Sequence, residues 1–168
     1  LIRPAVFKDI EGLVRLENLG FTTDRFSRSQ LHYLVSKAQG ICLVEESRSR
    51  LLGMLILLWR KNSGSGCIYS IVVDPKAQGK GLGRRLMREA ERIARQRGLK
   101  RLTLQVRIDN MVAIRLYEGL GYKRAGLIRD YYSDGGAAIH FRKPLRGFPI
   151  PSSSPRGGSP EGKGPTLG

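Results

Sequence analysis

Markers of a secreted, metal-binding or membrane-spanning protein are scarce in this chain. Its two cysteines, Cys42 and Cys67, each lie inside an apolar run and not in a metal-ligand spacing, and two scattered thiols make no disulfide framework. No metal is expected, and a reducing cytoplasm is the expected location. No apolar run approaches the ~20 residues of a membrane span, so no membrane partner is expected. The start, Leu1-Ile2-Arg3-Pro4, lacks the layout of a signal peptide and has no initiator Met, so a fragment or an incomplete gene start is expected. Acids are few as well. Only 14 Asp and Glu face 30 Lys and Arg, a formal net charge of +16. Residues 74–129 hold 15 of those bases and 5 of the acids, +10 in one third of the chain. A basic stripe is the footprint of a nucleic-acid binder. Against that reading, arginines and acids fall at helix-pair spacings, Arg85 with Glu89 and Glu91 with Arg95, and no aromatics interleave with the bases. Nucleic acid is therefore disfavoured as a partner, and the charge alone keeps it open.

What the chain does have is a strand, a glycine loop and a basic helix in immediate succession. Cys67, Ile68, Ile71, Val72 and Val73 form an apolar, β-branched run closed by Asp74-Pro75, which suits a strand covered on both faces. Gln78-Gly79-Lys80-Gly81-Leu82-Gly83 follows. Leu82, Leu86, Ala90, Ile93 and Ala94 then mark one face of a helix, with Arg84, Arg85, Arg88, Arg92 and Arg95 largely outside it. Alternating glycines remove the β-carbons that would hold a ligand off the backbone, and a helix start adds unpaired N–H groups and partial positive charge. The same cluster also suits a tight turn. Read as a ligand site it is an anion cradle, most naturally for a pyrophosphate. It is no P-loop, since Gly79-Lys80 is followed by Gly81 and not by Ser or Thr. Nor is it a dinucleotide fingerprint, since Lys100 and Arg101 stand where an acid is needed.

Around this stretch the chain reads as one α/β (α+β) domain over residues 1–145. A short strand at Leu1–Ala5 precedes a helix from about Lys8 to Leu19, with Asp9 as its cap, and Ser27 to Gln30 opens a second helix reaching towards Gly40. Ile41–Glu45 and Leu51–Trp59 make an antiparallel hairpin. Gly98 stops the basic helix, and Leu102–Val106 becomes a strand parallel to Cys67–Val73, with Thr103 and Gln105 on the face opposite Leu102, Leu104 and Val106. Asp109 or Asn110 caps a helix through Leu120, and Tyr122–Arg129 and Ala137–Arg142 form a closing antiparallel pair. Residues 146–168 hold 5 Pro, 6 Gly and 4 Ser among 23 positions, and a disordered tail is expected.

Gln78, Gly81 and Gly83 match the acyl-CoA loop of the GNAT superfamily of N-acetyltransferases. The likeness continues through Leu104-Gln105-Val106-Arg107, Asn110-Met111-Val112-Ala113-Ile114-Arg115-Leu116-Tyr117 and Gly121-Tyr122, and over about residues 1–145 it resembles the RimI-like branch, which acetylates ribosomal-protein alanine. The resemblance implies a mixed sheet of about seven strands, splayed at its parallel pair, with about four helices. It implies acetyl-CoA as acyl donor, with the backbone of Ile71, Val72 and Val73 on the pantetheine arm. Gln78, Gly79, Lys80, Gly81, Leu82, Gly83 and Arg84 would hold the pyrophosphate, with Asn110 near the thioester and Tyr117 as the acid that protonates the leaving thiolate. A helical Tyr between Leu116 and Leu120 equally suits a core.

RimI-like enzymes carry Glu where this chain has Gln105, and an amide cannot take a proton from an ammonium at neutral pH. Three readings remain open: a water relayed through Gln105, Tyr69 or Ser70, which is preferred; another base such as Tyr131 or Tyr132; or an acetyl-CoA binder with little activity. An α-amine of pKa about 7.7 to 8.0 is roughly one-tenth neutral at pH 7, and a lysine near 10.4 only about once in 2,500. A protein or peptide N-terminus is thus the expected acceptor, attacking directly in a ternary complex. A small amine such as a polyamine or aminoglycoside is the alternative. A non-catalytic CoA-binding or basic nucleic-acid-binding module is the alternative of another class.

Overall fold

The computed structural model describes residues 1–37 and 39–145, so the tail expected at 146–168 lies outside the described residues. Seven strands form one sheet, and four α-helices cover its two faces. In chain order the elements are β1 (Ile2–Pro4), α1 (Ile10–Gly20), α2 (Arg28–Ser36), β2 (Gly40–Ser47), β3 (Arg50–Trp59), β4 (Ser65–Val73), α3 (Leu82–Gln96), β5 (Arg101–Arg107), α4 (Met111–Gly119), β6 (Lys123–Ile128) and β7 (Ala138–Pro144). The strand order is β1-β2-β3-β4-β5-β7-β6, antiparallel except for β4 beside β5. Among the described residues no helix is long and apolar enough to cross a membrane.

The apolar periodicities sort residues onto two cores. α3 and α4 bury Leu82, Leu86, Ala90, Ala94, Ile114 and Tyr117 against Leu55, Ile68, Ile71, Leu102, Leu104 and Phe141. α1 and α2 bury Leu13, Leu16, Leu31 and Leu34 against Val44, Met54, Ile56, Tyr69 and Val72 on the other face. α3 stops as its glycine requires: Gly98 adopts φ +76°, its N–H donates to Arg95 C=O, and the Leu99 N–H donates to Ala94 C=O, the paired bonds of a Schellman end.

Three local expectations change. α2 starts on the Ser27/Gln30 reciprocal cap but ends at Ser36, because Gly40 enters β2. A β-carbon at Gly40 would stand 2.3 Å from the Leu57 carbonyl oxygen, so that glycine serves close strand pairing and not a helix stop. Asp9 makes no cap bond to α1; its carboxylate accepts from the Val6 N–H and from Arg3. On α3 the anticipated Arg85–Glu89 pair is absent. Glu89 pairs with Arg92 and Arg85 donates to the Lys80 carbonyl, whereas Glu91 keeps its expected pair with Arg95 while buried under Lys143 and the Tyr122 hydroxyl.

Candidate active site

β4 and β5 pair only from Ser65↔Arg101 to Ile68↔Leu104 and then diverge. The cause lies on the other side of β4. There Leu57 pairs with Ile68 and Ile56 with Ser70, so Tyr69 is an extra residue, a β-bulge that bends the strand out of the ladder. Ile71, Val72 and Val73 continue past the fork without β5 as partner. Their backbone on that side offers ladder groups to an extended, amide-bearing ligand, as any free strand edge does.

Asp74 fixes where β4 hands over to the glycine loop. Burial pushes its carboxyl up, but Arg15, the Lys76 N–H and Arg50 outweigh that and hold it at about 2. Gly79 and Gly81 both adopt φ +78°, the left-handed region that an L side chain enters at a cost of ~1–2 kcal/mol. A β-carbon on Gly79 would meet nothing within 4 Å, and one on Gly81 only Arg85 Nη1 at 3.8 Å, so the space over the loop is open. Gly81 is the N-cap of α3, and Arg85 N–H takes its carbonyl. The N–H groups of Leu82, Gly83 and Arg84 have no partner within the helix. Gln78 and Lys80 are exposed beside them, and Arg84 Nη2 reaches the end of α4 near Gly119.

On the α4 side, Asn110 spends its Oδ1 as the helix cap, accepting from Ala113 N–H at 3.2 Å. Tyr117 is wholly buried, with its ring against Tyr122 and Phe141. Its hydroxyl has no hydrogen-bond partner among the described residues. Burial, then the nearby Tyr132, raises its pKa, so the phenol keeps its proton and has it to donate. The Ser70 and Tyr131 hydroxyls are likewise buried and unpartnered there. Such an orphan costs about 1–3 kcal/mol, which a polar ligand would relieve.

The opposite wall comes from pieces distant in sequence. Arg107, at the end of β5, lies over the Tyr132 ring at 4.1 Å, pairs with Asp134 and reaches Thr23 Oγ1 at 3.4 Å. Ser133 N–H donates to Asp24. The α1–α2 connector and the β6–β7 loop are thereby tied together, with Phe26 against Tyr69 beneath them. Tyr131 is raised by burial and by Cys67, Tyr132 and Tyr69 around it; Tyr69 is raised by burial and Cys67. Neither phenol takes up a proton near neutrality. Burial pushes the Cys42 and Cys67 thiols up to about 12, so neither is a nucleophile.

Gln105 is buried, and its amide nitrogen Nε2 meets His140 Nδ1 at 2.7 Å. His140 lies directly opposite it on β7. Burial first, then Arg142, lowers its pKa below the usual value, leaving a neutral imidazole at pH 7. Sequence reasoning missed His140, although the lone polar residue in Ala137-Ala138-Ile139-His140-Phe141 is the signal that marks it. It also missed the Arg107 strap.

Residues 9–122 match the Acetyltransferase (GNAT) family. The chain belongs to the GNAT family. This GNAT chain is 28% identical over 135 residues to a provisionally named [ribosomal protein bS18]-alanine N-acetyltransferase of Bacillus subtilis, covering 80% of this chain and 88% of that one. It is 43% identical over 82 residues to the N-alpha-acetyltransferase RimI of Mycobacterium tuberculosis, 49% of this chain and half of that protein's length. The fold is that of the ribosomal-protein-S18-alanine N-acetyltransferase from Escherichia coli, with TM-score 0.78, 24% identity and 90% and 96% of the two chains covered. The enzyme is thus an N-acetyltransferase with acetyl-CoA as acyl donor. The residues present suit that donor: open space lies over two left-handed glycines at a helix start, and unpartnered hydroxyls sit on β4 and α4.

Proposed function

We propose that the enzyme acetylates the N-terminal α-amine of a protein or peptide, by direct attack of the amine on the thioester. One observation carries the choice of acceptor. The β5 position facing the cleft holds Gln105, an amide, and the phenols of Tyr69 and Tyr131 keep their protons. A site without a strong base suits an amine that is already partly neutral at pH 7, an α-amine and not a lysine. The names of the relatives, ribosomal-protein-alanine and N-alpha acetyltransferases, agree with that class of acceptor. Two thiols held up at about 12 argue against an acetyl-cysteine intermediate.

In this reading the backbone of Ile71, Val72 and Val73 holds the pantetheine amides. The loop from Gln78 through Arg84 takes the pyrophosphate on its N–H groups and on Lys80 and Arg84. Asn110, whose oxygen caps α4, lies at the thioester end of the arm. Tyr117 donates its proton to the departing thiolate. The acceptor enters between the α1–α2 connector and the β6–β7 loop, in a domain of residues 1–145 working in the cytoplasm. Thiol release from acetyl-CoA tests it, with peptides free or blocked at the N-terminus and with a polyamine. Turnover with free peptides alone is expected; turnover with the polyamine alone would replace the peptide by a small amine, and salt-sensitive nucleic-acid binding without turnover would overturn the enzyme reading of this cleft.

A further inference from the structure

A buried imidazole stands behind the amide that replaces the usual carboxylate. His140 and Gln105 are register partners on adjacent strands, and both side chains face the α1–α2 side of the sheet, the side of Tyr69. Arg142 Nε points at His140 Nε2 from 3.4 Å. The Gln105 amide nitrogen and Arg142 both face the ring as donors, and one neutral tautomer satisfies both contacts once the amide is turned to put its oxygen on Nδ1. Nε2 must keep its lone pair for Arg142, so Nδ1 carries the hydrogen and donates to the Gln105 carbonyl oxygen, the amide being turned to suit. The 3.4 Å contact is the long one of the two and the easier to displace.

Arg142 is the charged group that acts on the imidazole. Arg142 lies on its own strand, and Arg107 with the neutral Gln105 on β5. Tyr69 and Cys67 on β4 and Tyr131 in the β6–β7 loop hold their protons. Tyr132 lies under Arg107, Asp134 is paired to Arg107, and Glu17 of α1 accepts from the Phe26 N–H. β6 presents Gly126 opposite His140.

We propose that His140 Nε2 accepts the proton of the acceptor ammonium, directly or through one water, with Gln105 as the positioning residue that holds the ring. The inference rests on the acetyltransfer reading of this cleft. The ammonium gives one proton to Nε2; its freed lone pair forms the C–N bond to the acetyl carbon, and the C–S bond breaks. The nitrogen's second proton balances the one Tyr117 gives to sulfur, and His140 returns its own to solvent, aided by repulsion from Arg142. The base is matched to its substrate. Proton transfer from an α-ammonium near 8 to an imidazole below 6.5 is far less uphill than from a lysine near 10.4.

His140→Gln tests it on the full chain with a free-N-terminus peptide. Turnover at pH 7 is expected to fall roughly 10²-fold with acetyl-CoA affinity unchanged. Its kcat/KM should climb about tenfold per pH unit towards the amine pKa, whereas the native enzyme levels off above the His140 titration. A folded variant with native rate and profile would overturn the proposal. If the variant does not fold, the native protein decides. The His140 midpoint read by NMR must coincide with the acidic limb of the rate profile, and in Arg142→Ala, which removes a cation, both must move up in pH together. A midpoint that does not track the limb overturns the assignment. Should the wild type acetylate a lysine or polyamine and no peptide, the acceptor reading fails, and the same profiles, run on that amine, still judge His140.

Discussion

The two halves of the cleft are built differently. The proposed donor half is nearly one continuous run, Ile71 to Arg84, and would act mainly through backbone: a strand edge freed by the Tyr69 bulge, two residues at φ +78° and the start of α3. The acceptor half is side chains from five places: Thr23 and Asp24, Tyr69, Gln105 and Arg107, Tyr131 to Asp134, and His140. Backbone groups at a helix start are positioned by the helix itself, so the donor half tolerates any side chain that leaves the loop open. Side chains converging from distant strands must each be held by another, as Gln105 meets His140 and Arg107 meets Tyr132 and Asp134. The donor half should therefore fail through backbone geometry, and the acceptor half through loss of single partners.

The largest expected effect breaks the donor half alone. Gly81→Glu places a β-carbon in a left-handed residue and an anion over the cradle, and acetyl-CoA affinity should fall by at least about 10²-fold, read by calorimetry. Gly81→Asn, tolerated in that conformation, should lose less; equal losses would mean that filled space, not backbone strain, governs the loop. Next, Tyr117→Phe removes a hydroxyl with no partner in the described structure, so the melting temperature should hold while turnover falls roughly 10²-fold. Full turnover would make Tyr117 a core residue only.

Arg107→Ala separates the halves most cleanly. It removes the ring contact to Tyr132, the pair with Asp134 and the reach to Thr23, so the acceptor KM should rise about tenfold with acetyl-CoA affinity unchanged. A parallel loss of acetyl-CoA affinity would join the two halves into one unit. Asp74 gives a stability effect with a defined sign. Its folded pKa, about 2, lies below its unfolded value near 3.9, so its contribution is present above pH 4 and is lost as pH falls towards 2. That contribution is on the order of 2 kcal/mol, and Asp74→Asn should flatten the unfolding profile over that window. The smallest effect is expected from deleting residues 146–168. Leu145 is buried and its N–H donates to the Lys100 carbonyl, so the described fold is anchored up to that residue, and acetyl-CoA affinity and melting temperature should not change.

Much of the fold was legible because its signals are local. The Ser27/Gln30 cap, the Gly98 stop, the hairpin of β2 and β3 and the period of α3 depend on residues within a few positions of one another. Two kinds of feature were not legible. The Tyr69 bulge arises from matching β4 to β3 while its free edge follows β5 for only four residues, and no single residue encodes that. The closing pair β6 and β7 was apparent, but not that β7 and not β6 lies beside β5.

Sequence by itself determined the family and the strand, glycine loop and basic helix proposed to hold the donor: that order is contiguous, and a left-handed turn at a helix start needs only the residues that form it. Tertiary structure alone brought together the residues of the proposed acceptor half. Gln105 and His140 are 35 residues apart, and only the insertion of β7 between β5 and β6 brings them to 2.7 Å. The same packing buries His140 beside Arg142 and so leaves it neutral, a property of its surroundings and not of histidine.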